Sequence, residues 1–140
     1  MPSWSVLLVC ATSVHAGFQL TISRLVYSAL LRVPRERFGR AHADHSRAIV
    51  PLVALVYGAP LLTAAGAVVS DPRSLLGWAA AASTLLAPAV TAFRAAPLHG
   101  RLGRQGPEPA LVRALVRADH LRTLGALVAV GVAVAYASHG

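Results

Sequence analysis

Apolar and polar positions fall along this chain in long blocks rather than short alternations. Four apolar blocks, at about 4–23, 48–70, 75–93 and 123–138, are separated by two long basic links and one short turn. Each block is near the ~20 residues a helix needs to cross hydrocarbon, the last being the shortest. Lipid offers the backbone no hydrogen-bond partner, and unbroken apolar runs of this length do not read as alternating barrel strands. The pattern therefore predicts an all-α integral membrane four-helix bundle, a single domain over residues 1–140, with links at 24–47 and 94–122.

The links carry the orientation signal. Arg32, Arg35, Arg37 and Arg40 lie in the first and Arg101, Arg104, Arg113 and Arg117 in the last, whereas the short SDPRS turn holds only Arg73. Basic links belong on the cytoplasmic side, which puts both termini outside and a multi-pass protein in the inner membrane. Asp71-Pro72 suits a tight turn between the second and third spans. LVYSALLR should extend the first helix until Pro34 stops it, and ERFGRAHADHSR should lead helically into the second. Beyond the Gly106-Pro107-Glu108-Pro109 breaker, Leu111, Leu115 and Ala118 have helical spacing opposite Arg113 and Arg117. The helices are thus expected to run past the cytoplasmic membrane face, with HGRLGRQGPEP as the one true loop. The N-terminal segment has a small-residue pattern at Val14 and Ala16, but no positive charge precedes it, so it reads as a retained span rather than a cleaved signal.

Composition agrees with lipid as the main solvent, at 56% hydrophobic and 13% charged residues. The formal net charge of +8 comes entirely from arginine. These arginines sit between greasy segments rather than on a polar domain, which favours membrane lipids as partners over nucleic acid. Cys10 is the only cysteine, so no intrachain disulfide or thiol pair forms. Gly77 with Ala81, Ala129 with Ala133, and Gly131 with Ala135 have the small-residue spacing of close helix approach, in the bundle or between copies in a homo-oligomer. Pro51, Pro60 and Pro88 lie inside spans and are expected to kink them.

Candidate chemistry begins with a polar stripe. Thr12, His15, Gln19, Ser23 and Tyr27 are three or four apart and should share one helix face. Turned to lipid, that face would waste its hydrogen-bonding groups, so it should point into the bundle. Interhelical hydrogen bonding is one use for it, and a substrate pocket is the other. His15, near mid-membrane, offers one donor and one acceptor as a neutral imidazole and is a candidate base. Gln19, one turn on, would bind a carbonyl or orient that ring. Asp119, His120, Arg122 and Thr123 open the fourth span at about the depth of Arg24 and Arg47, making a ring of ionisable groups suited to an anionic or enolisable lipophilic guest. His42 and His45 share a face; His42 reads as solvated collar and His45, one turn deeper, as part of the site, while His99 and His139 read as interfacial.

Other chemistries find little footing. Carboxylates are too few for a metal centre, and Glu-x-x-His pairs, which a di-iron site needs, are absent. No metal or cofactor is predicted, although haem held by two of His15, His45 and His120 is a further reading. Nucleophile elbows and phosphate-binding glycine loops are missing as well.

HAGFQL at 15–20, F-x-x-x-H-A-x-H-S-R at 38–47 and D-H-L-R-T at 119–123 resemble the small four-span bacterial and fungal proteins grouped as anthrone-oxygenase-like. In that family the fourth span often opens with Asn-x-x-Arg-Thr, matched here by Asp119, Arg122 and Thr123 with aspartate in place of asparagine. The resemblance implies an enzyme of aromatic polyketide tailoring that oxidises an activated phenolic ring without an obvious bound cofactor. Together the residues and the resemblance predict a membrane-embedded oxygenase, isomerase or cyclase for a small lipophilic substrate, aromatic or isoprenoid. His15 or His120 would be the base, with Asp119 and His45 beside them. Arg24, Arg47 and Arg122 would stabilise an anion, and Gln19, Tyr27 and Thr123 would complete the substrate-binding set. Against it stands a non-catalytic membrane subunit or lipid-binding module that docks a larger partner.

Overall fold

A computed structural model describes residues 3–139 and contains four rods: α1 (Trp4–Leu30), α2 (Arg35–Ser70), α3 (Leu75–Gln105) and α4 (Pro109–His139). All four are long and apolar enough to cross a bilayer. α1 packs against α2 and α4, and α3 closes the ring by packing against the same two. Short links at 31–34, 71–74 and 106–108 make consecutive rods antiparallel.

Local sequence sets the ends. Ser3 caps α1 by accepting from the Val6 N–H, and Ser74 caps α3 by accepting from Gly77, each supplying one of the partners a helix start lacks. Pro34, which cannot continue α1, stands immediately before α2. Gly106 adopts φ of 80°, a left-handed conformation that glycine accepts without strain, and it ends α3. The expected loop at 99–109 is thereby reduced to three residues, 106–108. Residues up to Gln105 stay helical because Leu102, 1% exposed, packs into the apolar core at this end of the bundle.

Proline acts selectively. α2 stays helical through Pro51 and Pro60. α3 is interrupted at Leu85, one turn before Pro88, whose missing N–H leaves the Thr84 carbonyl unserved. α3 also widens into a π-helical turn at Thr91–Ala95, just ahead of Pro97. α1 has its own π-helical turn at Ile22–Val26, and this one moves the site. Inward positions on α1 run Thr12, His15, Gln19 and Ile22, then skip to Tyr27 and Leu30. The extra residue keeps Tyr27 facing the interior and leaves Ser23 only half-buried, off the stripe predicted for it.

The interior has two apolar ends with a polar layer between them. Ile22, Leu30, Phe38, Leu102 and Leu115 fill the end bearing the first and third links. Leu8, Ala64, Ala67, Ala80 and Ala133 fill the other. Small residues bring the helices close here: a Cβ on Gly125 would meet Leu86 Cβ at 3.0 Å and the Ala87 backbone nitrogen at 3.3 Å. Of the predicted small-residue pairs, Ala129 and Ala133 are buried, whereas Gly131 faces outward. The outer surface carries Leu55, Leu62, Leu75 and Phe93 largely exposed, as suits rods surrounded by acyl chains.

Candidate functional site

The polar layer is one connected set of side chains drawn from all four helices. On α4, Asp119 and Arg122 are one turn apart on the buried face and pair directly, Arg122 Nη2 donating to Asp119 Oδ1 at 2.6 Å. Gln19 of α1 donates its Nε2 to the same oxygen at 2.8 Å. Arg122 Nη2 also donates to the Tyr27 hydroxyl at 2.8 Å. The Tyr27 oxygen lies 3.1 Å from His99 Nε2, and His99 Nδ1 lies 3.3 Å from His42 Nε2. The chain therefore passes from α4 to α1, across the bundle to α3, and on to α2.

Proton positions follow from what each group is able to give. Arginine has only donors, so the Tyr27 oxygen accepts from Arg122, and its own hydrogen is left to donate to His99 Nε2 in the tautomer that carries the ring proton on Nδ1. In that tautomer His99 Nδ1 donates to His42 Nε2. Packing fixes the two rings: His42 stacks between His99, at 5.5 Å, and Phe38, at 5.7 Å.

A cavity of about 230 Å³ opens beside this chain. Tyr27, His45, His99, Gln19 and Arg122 supply its polar wall, and Phe18, Ile22, Ile49, Val50 and Val53 much of its apolar one. Its volume exceeds the ~150 Å³ that holds a benzene ring, so it suits a guest of about two fused rings. Three buried nitrogens in and beside the layer have no partner among the described residues: Arg122 Nε and both ring nitrogens of His15. Buried polar atoms are nearly always paired, so Arg122, which lines the cavity, marks a place where a guest or water belongs, whereas His15 is not among the cavity's lining residues. His15 is 1% exposed and packs edge-on against Tyr57 at 4.8 Å; Tyr57, which does line the cavity, shares a hydrogen bond of 2.8 Å with Thr91.

The sequence-derived site is only partly brought together. His15, Gln19, Tyr27, Asp119 and Arg122 are all buried, and His45 lines the cavity. His120 does not join them, because the inward face of α4 is set by Ala118, Asp119, Arg122 and Gly125, and His120 falls on the exposed side. Arg24 is exposed on α1 and Arg47 is exposed on α2, where it pairs with Asp44, so neither belongs to the inner ring. Thr123, half-buried, donates to the Asp119 carbonyl of its own helix at 3.0 Å.

Two residues assigned elsewhere belong here. His42 is buried rather than a solvated collar, and His99 lines the cavity rather than the interface. The signal was present in the helical spacing of Phe38, His42, His45 and Ile49 on α2 and of Thr91, Ala95, His99 and Leu102 on α3. Among the described residues, no three His, Cys, Asp or Glu side chains stand close enough to hold a metal ion.

No family model, curated protein or solved structure matches the chain.

Proposed function

We propose that the chain is a membrane-embedded enzyme that ionises a small lipophilic phenol or enol and holds the resulting anion against Arg122. The observation that carries this reading is Arg122 itself: a buried guanidinium in the wall of a largely apolar cavity, with Nε unpartnered and Nη2 tied to a tyrosine–histidine pair. In the proposed step the guest's hydroxyl proton passes to the Tyr27 oxygen as the Tyr27 proton passes to His99 Nε2. His99 becomes an imidazolium with Nδ1 still bonded to His42, and the guest's oxyanion is left facing the guanidinium. Removing the proton and stabilising the charge are thus assigned to different groups, as efficient acid–base sites require. Asp119, fixed by Gln19, orients Arg122.

Oxygenation, isomerisation and cyclisation of an aromatic ring all begin from such an anion. The resemblance to anthrone-oxygenase-like proteins favours a polyketide phenolate, and two of the positions that carry it, Asp119 and Arg122, form the buried pair of this layer. In this reading the links at 31–34 and 106–108 face the cytoplasm of a cell with this chain in its inner membrane, and the guest enters from that leaflet.

Ring deuteration tests the proposal, since a naphtholate exchanges its ring hydrogen next to the oxygen faster than the neutral naphthol. The purified chain in detergent is incubated with 2-naphthol in D₂O and incorporation is followed by mass spectrometry. Faster exchange with wild type than with His99→Asn supports the reading. Exchange no faster than in detergent alone contradicts it.

A further inference from the structure

A second cavity, independent of the polar layer, lies on the outside of the bundle between α3 and α4, in the halves of these helices that meet at the 106–108 link. It measures about 630 Å³, and Arg94, Arg101 and Arg117 border it. Pro97, Leu98, Ala114, Ala118 and Leu121 give it an apolar floor, and Phe93 lines it too. Among the described residues, no carboxylate lines it. The five acidic residues are all elsewhere: Asp44, Glu108 and Asp119 pair with Arg47, Arg35 and Arg122, while Glu36 and Asp71 lie outside the groove lining.

We infer that this groove is a binding site for an anionic phospholipid. Three arginines without an ion-pair partner among the described residues line the groove and offer their guanidiniums to a phosphodiester. Arginine matches that group because its planar donors engage two phosphate oxygens at once and are more weakly hydrated than an ammonium. The apolar floor continues from the arginines to Phe93, 82% exposed, giving an acyl chain a surface to lie along. Guanidiniums and exposed apolar side chains in one groove, with Arg101 and Arg117 towards the link and Arg94 beside Phe93, together specify a lipid rather than a soluble anion.

Native mass spectrometry of the full chain in detergent tests this, with added dioleoyl phosphatidylglycerol, dioleoyl phosphatidylcholine or inorganic phosphate as probes. Phosphatidylglycerol is expected to bind about tenfold more tightly than phosphatidylcholine, as a few interfacial arginines at roughly 1 kcal/mol each allow. Arg101→Gln/Arg117→Gln should abolish that preference, and Ala114→Leu, which fills the floor without changing charge, should reduce lipid occupancy. Arg37→Gln/Arg40→Gln, on the exposed start of α2, should leave both unchanged. Equal binding of the two lipids overturns the inference. So does an equal loss in the Arg37/Arg40 variant, which would mean diffuse attraction, or inorganic phosphate displacing the lipid at matching concentration, which would mean the acyl chains contribute nothing.

Discussion

Arg122 of α4 donates to the Tyr27 hydroxyl of α1 at 2.8 Å, and the same guanidinium nitrogen holds Asp119 at 2.6 Å. One cation therefore ties the carboxylate of its own helix to the phenol that leads to His99. Removing either neighbour should have a different consequence.

Asp119→Ala leaves the Arg122 charge buried with no counter-ion, and loss of one partner of a buried pair costs about 3–5 kcal/mol. Thermal unfolding in detergent should show a large fall for this variant. Asp119→Ala/Arg122→Leu, with no charge left to compensate, should recover much of it. A double variant as unstable as the sum of the single losses would mean the pair is not coupled.

Tyr27→Phe keeps the ring and removes only the hydroxyl between Arg122 and His99. Ring deuteration of 2-naphthol should fall about 10²-fold, the lower range for general acid–base catalysis, with the thermal midpoint little changed. His120→Ala should deuterate at the wild-type rate, since that ring lies outside the bundle. The reverse ranking would return the base to His120.

How much of this was legible beforehand depended on whether period or local chemistry carried the signal. Four spans, the inward stripe through His15 and Gln19, and the Asp119–Arg122 pair all follow from helical spacing. Ser23 was misplaced because one extra residue in the Ile22–Val26 turn shifts the register, and no proline marks that turn in the sequence. His120, Arg24 and Arg47 were grouped by depth in the membrane, which says nothing of direction around a helix. His42 and His99 are hard to place from sequence because polar flanks look solvated. Here Phe38, Leu102 and Leu115 extend the core past the apolar blocks and cover them.

The wide turn in α1 makes an unusual prediction about chain length. Deleting Ser23 should let the turn become regular while Gln19, Ile22 and Tyr27 keep their inward face. Inserting one alanine after Ser23 instead should rotate the rest of α1 by about 100°, the angular step per residue at 3.6 residues per turn. Thermal unfolding and 2-naphthol binding should therefore survive the deletion and fail in the insertion. Equal failure of both would show that axial position, not register, is what the turn controls.

Gly125 reports on the close approach of α3 and α4. A side chain there must displace Leu86 or the Ala87 backbone. Gly125→Val is expected to lower stability by about 1–3 kcal/mol, the usual cost of overpacking, whereas Gly131→Val on the exposed side of α4 should be nearly neutral. Thermal midpoints of the two purified variants make the comparison.

The most direct test of the account compares 2-naphthol with naphthalene, guests of the same shape that differ by one hydroxyl, binding to the purified chain in detergent. The account predicts naphthol about tenfold tighter, the worth of a hydrogen bond to a charged group, with the advantage lost in Asp119→Asn/Arg122→Gln, where the buried pair is replaced by neutral amides. Equal affinity for the two guests, or a hydroxyl preference unchanged in that variant, would contradict it.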